Sequence, residues 1–286
     1  MKAIEFIKHG NAIITTDDYS ISNGVDSATV ELIKIDALNT VSSFVTTEKF
    51  KTSITKLSNI KTNIGLHLDF TFGKALSIKG KSLITNDKGN FNKTFIQILF
   101  LSIFRPQKVK QLIQSEAKAQ ILKLVEFIPK PTHIDGHQHI HTIPLIFDII
   151  QKIAKEYNIP RIRIINESIF QWQVLNIFNI KNTIKLLLLR TLGKFNKYKS
   201  SVYFISIFRT CNINTRYIQK YNIPKNFKTI EIMLHVGNTE IDKENTSKEK
   251  LHLQSKWRNI EYKTAKELQV ITSSNKNSVL LKDVIF

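Results

Sequence analysis

Residues 11–47, NAIITTDDYSISNGVDSATVELIKIDALNTVSSFVTT, carry the pattern that decides the fold. An apolar run that ends in two aspartates predicts a β-strand, and the segment after it has apolar positions that fit one face of a helix. TVSSFVTT (40–47) predicts a second strand. A strand, a helix and another strand in close succession are typical of a parallel sheet with helices packed outside it.

The same alternation continues along the rest of the chain. Further strands are predicted at NIGLHLDFT (63–71), PTHIDGH (131–137), RIRIIN (161–166), TIEIMLHVG (229–237) and SVLLKDVIF (278–286). Helices are predicted at 109–128, 145–158 and 257–269. These patterns predict an α/β fold that forms a single domain over residues 1–286, with residues 78–115 and 168–208 as helical insertions or lid elements.

The composition is that of a globular protein with a strongly basic charge. Hydrophobic residues make up 42% of the chain, and the formal net charge is +19. Two interpretations of this charge stay open: attraction to a polyanion such as nucleic acid, anionic lipid or an acidic glycan, or a general composition rich in Lys, Ile and Asn. The single cysteine, Cys211, excludes an internal disulfide and a cysteine-rich zinc site.

No targeting or membrane-spanning segment is predicted. The first residues, MKAIEFIKHGNAIITTDDY, lack the long apolar stretch of a secretory signal, and no run of about 18 uncharged apolar residues occurs. We therefore expect a cytoplasmic protein. The basic and apolar segment 168–208 leaves three interpretations open: a helix pair packed on the domain, a cover over the active site, or a peripheral contact with an anionic membrane.

Polar side chains lie where the predicted strands end, as the catalytic groups of α/β barrels do. Asp17 and Asp18 end the first strand, His67 lies in NIGLHLDFT, and His137 follows Gly136 in PTHIDGH. A divalent metal held by one carboxylate and two imidazoles is a common hydrolytic arrangement. Each residue alone has a simpler explanation, namely helix capping for the aspartates and a hydrogen-bonded core position for His67.

The stretch PTHIDGHQHIH (131–141) contains four of the eight histidines of the chain. Alternate residues of an extended chain share one face. Unless Gly136 ends the strand, one face would therefore carry His133, Asp135, His137, His139 and His141. Such a cluster favours a metal site over a solvated turn.

The same alternation predicts that the adjacent Asp17 and Asp18 point in different directions. Two further polar residues follow apolar strand positions. His235 could donate a proton to a leaving group, and Arg163 could orient a carboxylate base.

Taken in order, the motifs TTDDYSISNGV, NIGLHLDFT, THIDGHQHIH, IEIMLHVG and WRNIEYKTAKEL resemble those of the YdjC-like, or ChbG-type, carbohydrate deacetylase family. The resemblance covers most of the chain. It implies a distorted (β/α) barrel of the polysaccharide-deacetylase type, and hydrolysis of the N-acetyl group of an acetylated amino sugar, either an oligosaccharide or a lipid-linked glycan. It also implies one divalent metal ion, which is magnesium by the resemblance, whereas two imidazoles and one carboxylate suit zinc better.

By the same resemblance, Asp18, His67 and His137 would be the metal ligands. Asp17 would be the base that activates water, although the roles of the two aspartates could be exchanged. His235 would protonate the departing amine, and Arg163 would hold Asp17 ionised. Contacts to the ligands or the substrate would come from His133, Asp135, His139 and His141. The sequence departs from the family pattern at Tyr19 and Ser20, in the HVG after Leu234, and above all in its basic surface, with residues 168–208 rich in Lys, Phe and Leu. None of these departures removes a proposed ligand, so we expect them to affect substrate choice rather than activity.

Other functions stay open beside the deacetylase. A basic protein could bind nucleic acid or an anionic surface without catalysis, but no nucleic-acid-binding module is recognised and the basic residues are scattered. A metal-dependent phosphoesterase would usually need additional acidic ligands for a second metal. The oligomeric state is also open, and a homodimer is compatible with the sequence.

Overall fold

The structure is a computed structural model of the chain, and the residues described are 1–169, 180–196, 198–243 and 253–272. The strands of this part of the chain are β1 (Ala12–Tyr19), β2 (Thr40–Ser43), β3 (Asn63–Leu68), β4 (Ile134–Gly136), β5 (Val202–Ile205) and β6 (Thr229–Leu234). The helices are α1 (Ala3–Lys8), α2 (Asn23–Lys34), α3 (Phe50–Ile54), α4 (Phe95–Phe104), α5 (Pro106–Val125), α6 (Pro144–Glu156), α7 (Ile180–Phe195), α8 (Thr215–Lys220) and α9 (Lys256–Thr272).

The strands form one parallel sheet in the order β4-β3-β2-β1-β6-β5. β1 lies near the centre, where Thr16 is opposite Val41 of β2 and Leu234 of β6. Nearly every strand residue is buried, as expected for a parallel sheet with helices against it. The predicted α/β fold is confirmed, and the carboxyl ends of β1, β3, β4 and β6 meet at one edge of the sheet.

Residues 161–166 close the gap between the two edge strands β4 and β5. Predicted as a strand, this segment forms only an isolated parallel bridge, Ile134 with Ile162. Further along, the side-chain amide of Asn166 donates to Val202 O at 2.9 Å and accepts from Phe204 N at 2.8 Å. Side-chain hydrogen bonds thus replace strand pairing on the β5 side, which makes the barrel distorted and explains why the strand prediction was wrong here.

Two other predicted boundaries change. Val202–Ile205 form the edge strand β5, so this part of the predicted insertion 168–208 belongs to the sheet. The range 78–115 contains α4 and the first half of α5, a helix that packs on α6 and β3. The strand predicted at 278–286 lies outside the described residues. None of the described helices combines the length and apolarity needed to cross a bilayer.

The interior of the barrel is polar where most cores are apolar. Thr15 of β1 and Glu231 of β6 are buried and hydrogen-bonded to each other at 3.2 Å, and Arg161 forms an ion pair with the same glutamate. Gly65 of β3 leaves the space that the His133 ring occupies, since a Cβ at Gly65 would overlap that ring. Buried polar groups of this kind are stable only when each finds a partner.

Candidate active site

A bulge at the end of β1 brings both aspartates to one place. The register of β1 against β2 shifts between Thr16 and Tyr19, and Asp18 has a φ of 66°. Asp17 Oδ2 lies 3.9 Å from Nδ1 of His67, and Asp18 Oδ1 lies 3.5 Å from Nε2 of the same ring. The alternation expected of an extended strand does not hold here, because a bulge changes the direction of the side chains.

Asp18 has one carboxylate oxygen that is satisfied and one that is not. Oδ2 accepts a hydrogen bond from the Arg258 guanidinium at 2.7 Å. Oδ1 is buried and has no well-aligned hydrogen bond, although it lies 3.5 Å from His67 Nε2 and 3.3 Å from His137 Nδ1. An orphaned carboxylate oxygen between two imidazole nitrogens is the arrangement that a cation would complete.

His67 is held in one orientation by Asp135. Its Nδ1 lies 2.7 Å from Asp135 Oδ1, so Nδ1–H donates to the carboxylate and Nε2 faces Asp18. Burial opposes protonation of the ring, but the carboxylates of Asp135 and Asp17 outweigh it and raise the pKa of His67 to about 10. Nε2 therefore lies in surroundings that favour a cation, and a carboxylate behind a ligating histidine is common in metal sites.

Arg163 lies at the centre of three buried carboxylates. It donates to Asp17 through NH1 and NH2 at 2.7 and 2.8 Å, and it lies 2.7 Å from Asp135 and 2.8 Å from Glu231. Burial raises the pKa of Asp17, and the guanidinium opposes that rise. For Asp135 burial raises the pKa, but Arg163 and His67 together outweigh burial and hold the pKa well below its usual range. This paired geometry fixes the plane of the Asp17 carboxylate.

The histidine-rich stretch does not stay extended. β4 ends at Gly136, and residues 137–142 form a 3₁₀ turn in which Gln138 and His139 have φ values of 53° and 61°. Among the five residues of the predicted face, His137 and Asp135 reach the cluster around His67. The Gly136 break that the sequence suggested is thus present.

The other three histidines of the stretch are not among the side chains placed to hold a metal, although His133 Nε2 lies 3.8 Å from Asp135 Oδ2. His133 is fully buried and binds Ser42 and Thr132 at 2.8 and 3.0 Å, and burial lowers its pKa to about 3. His141 lies 3.1 Å from the carbonyl oxygen of Arg163, and burial lowers its pKa to about 4. His139 is buried beside Phe204, and burial lowers its pKa as well. All three are buried, and the surroundings of each oppose protonation of the ring.

His235 follows β6 directly and faces the same end of the barrel. Leu234 is opposite Thr16 in the sheet register, which places His235 beside the end of β1. Its backbone N–H donates to Glu261 Oε2 at 2.6 Å, and its ring is 18% exposed. Nδ1 of the ring has no hydrogen-bond partner among the described residues. The ring is thus held at the site with a free nitrogen.

Among the described residues, two groups of side chains have the spacing to hold a metal. Asp18, His67 and His137 offer ligand atoms within 4.8 Å of one another, and so do Asp17, His67 and Asp135. The first group has the orphaned oxygen and fits a single divalent ion. In the second group, the carboxylates of Asp17 and Asp135 each form an ion pair with Arg163 at 2.7 Å. The guanidinium therefore already supplies the positive charge that a metal would bring there.

Sequence reasoning missed three charged residues of the site. Arg258 and Glu261 come from α9 and contact Asp18 and the His235 backbone, and Glu231 of β6 binds Arg163. Glu231 could have been suspected as an acid inside an apolar strand. The two α9 residues lie in the motif WRNIEYKTAKEL, but an ordinary amphipathic helix pattern does not indicate which of its residues reach the site.

The comparisons with known proteins match most of the chain to one family. A family model described as YdjC-like protein matches residues 11–282. A carbohydrate deacetylase from Clostridium beijerinckii is 31% identical over 179 residues, which are 61% of this chain and 66% of that protein. A carbohydrate deacetylase from Brevibacillus brevis is 30% identical over 149 residues, 52% of this chain and 57% of that protein. The matches thus span less than two thirds of either relative.

A solved structure shares the fold over nearly its whole length. A crystal structure from Enterococcus faecalis, assigned to cellobiose-phosphate cleavage, has a TM-score of 0.64 and 17% sequence identity. The match covers 96% of this chain and 98% of that one. At this identity the similarity concerns the fold and not the substrate.

Proposed function

Because the chain belongs to the YdjC-like family, we propose that it is a metal-dependent hydrolase that removes the N-acetyl group of an acetylated amino sugar. Relatives named carbohydrate deacetylase support the reaction class. The observation that carries the proposal is the buried, unpartnered Oδ1 of Asp18 between the nitrogens of His67 and His137.

One divalent ion bound by Asp18, His67 and His137 would supply Lewis-acid polarisation of the acetamide carbonyl. Two imidazoles and one carboxylate are a donor set that suits zinc or another transition ion better than magnesium, which prefers oxygen ligands. Asp135 fixes the ring of His67, and Arg258 occupies Oδ2 of Asp18, so Oδ1 is the oxygen left for the ion.

Asp17 is the base in this proposal. It takes a proton from the water that attacks the carbonyl carbon, and Arg163 keeps its carboxylate in a fixed plane. The two aspartates differ in their partners, since Asp17 is bound in the fork of Arg163 and Asp18 keeps one free oxygen. That difference supports Asp17 as the base and Asp18 as the ligand.

His235 is the acid. When the C–N bond breaks, the departing amine needs a proton, and the partly exposed ring of His235 can deliver one. Glu261 accepts a hydrogen bond from the His235 backbone and lies 3.8 Å from Nδ1 of the ring, so it fixes the position of this histidine. The products are acetate and the free amino sugar.

The experiment is acetate release from a panel of N-acetylated oligosaccharides, together with the metal content of the purified protein. His67→Ala and His137→Ala are expected to lose both bound metal and activity, whereas Asp17→Asn should keep the metal and lose activity. His9→Ala is the matched control, because His9 is an exposed histidine that follows α1, before β1 begins. Full metal content and full acetate release in the His67 and His137 variants would refute the proposal.

A phosphoesterase is the second candidate, and the structure disfavours its two-metal form. Phosphoryl chemistry of that type uses two ions about 3.5–4 Å apart. The only described side chains placed for a second ion are those of Asp17, His67 and Asp135, and Arg163 is bound between the two carboxylates. Assays with phosphate esters beside the acetylated sugars test this alternative directly.

A further inference from the structure

One stretch of the chain contributes most of the excess positive charge. Residues 168–230 contain eleven Lys and Arg residues and no Asp or Glu, so they supply +11 of the net +19. Lys and Arg are only slightly more frequent here than in the rest of the chain. The stretch differs from the rest in having no Asp or Glu. A general compositional bias would spread acids evenly, so the charge of this stretch calls for a local, anionic partner.

The helix α7 lies within this stretch and borders the mouth of the active site. The side chain of Asn196, just after α7, donates to the carbonyl of Thr142, the last residue of the turn that carries His137, at 3.1 Å. Asn182 reaches the carbonyl of Phe208, in the turn after β5, at 3.4 Å. α7 therefore spans the turns that follow β4 and β5 at the carboxyl edge of the sheet.

Apolar side chains of α7 point both inward and outward. Leu186, Leu189 and Leu192 are buried against the domain. On the other side Ile180, Ile184 and Leu187 are 58%, 61% and 45% exposed, and Phe195 is 69% exposed. A helix that is apolar on both sides is normally covered on both. No described residue buries these four side chains.

We propose that this outer face of α7 binds the surface of an anionic lipid bilayer and holds the mouth of the site beside it. Aliphatic and aromatic side chains gain free energy in the interfacial region of a bilayer, which a nucleic acid or an acidic glycan does not offer. Lys181 and Lys194 are exposed on the same helix and can meet lipid phosphates. The inference does not depend on which reaction the site performs.

The test is co-sedimentation of the full chain with vesicles of phosphatidylcholine alone or of an equimolar mixture with phosphatidylglycerol. Binding is expected to the anionic vesicles only and should weaken as salt is added. Lys181→Gln combined with Lys194→Gln should weaken binding about 25-fold, since each lysine near an anionic surface contributes about fivefold. Ile184→Gln combined with Leu187→Gln should weaken it about tenfold.

Val270→Gln is the matched control, because Val270 of α9 is equally exposed and should leave binding unchanged. The proposal fails if anionic vesicles do not bind at low salt or if both double variants bind as well as the parent protein. It also fails if Ile103→Gln combined with Phe104→Gln on α4 abolishes binding while the α7 variants do not.

A dimer that the Ile184 and Leu187 changes convert to a monomer, without vesicle binding, would instead assign the face to a contact between two copies. Acetate release by the same variants, measured on soluble substrate, separates this result from the proposed chemistry.

Discussion

Replacement of Arg163 by methionine is expected to destabilise the protein by about 3–5 kcal/mol, the cost of removing one partner from a buried ion pair. The guanidinium lies within 2.9 Å of Asp17, Asp135 and Glu231, and all four side chains are buried. Methionine fills much of the same volume, so the loss comes from the charge rather than from a cavity. Arg163→Lys keeps the charge but not the planar fork, and a smaller loss of about 2 kcal/mol is expected.

The assay is urea unfolding of the metal-free protein followed by circular dichroism, with Arg105→Met as an exposed control. The double variant Arg163→Met with Asp17→Asn should be more stable than the sum of the single changes predicts, by about 1 kcal/mol or more, because one uncompensated carboxylate is gone. A loss of stability below about 1 kcal/mol for Arg163→Met would show that Arg163 does not compensate the buried carboxylates of Asp17, Asp135 and Glu231. Strict additivity in the double variant would refute its pairing with Asp17.

Three further changes test other parts of the structure. Gly65→Ala should destabilise the protein by several kcal/mol in urea unfolding, because the new Cβ would overlap the ring of the fully buried His133. The packed interior leaves that ring little room to shift, so unchanged stability would contradict the packing. Arg258→Met removes the hydrogen bond to Asp18 Oδ2 but leaves the ring of His67 beside Oδ1, so in EDTA it should cost about 2 kcal/mol. A midpoint equal to that of the parent would argue against the contact. Burial raises the pKa of Glu167 from 4.5 to about 7. Because the pKa is higher in the folded state, the free energy of unfolding falls by about 3 kcal/mol as the pH rises from about 4.5 through about 7. Glu167→Gln should remove this fall when urea unfolding is compared at about pH 5 and about pH 8.

The strands and the metal candidates could be predicted because their signals are local. Asp18, His67 and His137 each follow or lie in a short apolar run, and parallel strands bring such positions to one edge of the sheet. The direction of Asp17 and Asp18 could not be predicted, since the bulge depends on the neighbouring strand β2 and not on the residues themselves.

Contacts between distant segments could not be predicted from the sequence either. Arg258 is separated from Asp18 by 240 positions, and the hydrogen bond depends on how α9 packs on the barrel, with Gly237 leaving space for the arginine. The edge strand β5 was hidden inside a basic, apolar stretch because VYFI is too short to show alternation. RIRIIN looks like a strand in sequence, but only Ile162 forms a bridge, because Asn166 bonds to β5 through its side chain.

The side chain of Asn166 joins residues 161–166 to β5, and this boundary is where we expect the barrel to open most easily. Residues 161–166 bond to β5 only through the side chain of Asn166, whereas β5 and β6 share a backbone ladder over four residue pairs. Brief opening there would admit solvent to the buried charges without unfolding the sheet. The amide protons of the 161–166 segment and of Phe204 should then exchange with deuterium sooner than those of β1, even in protein that stays native.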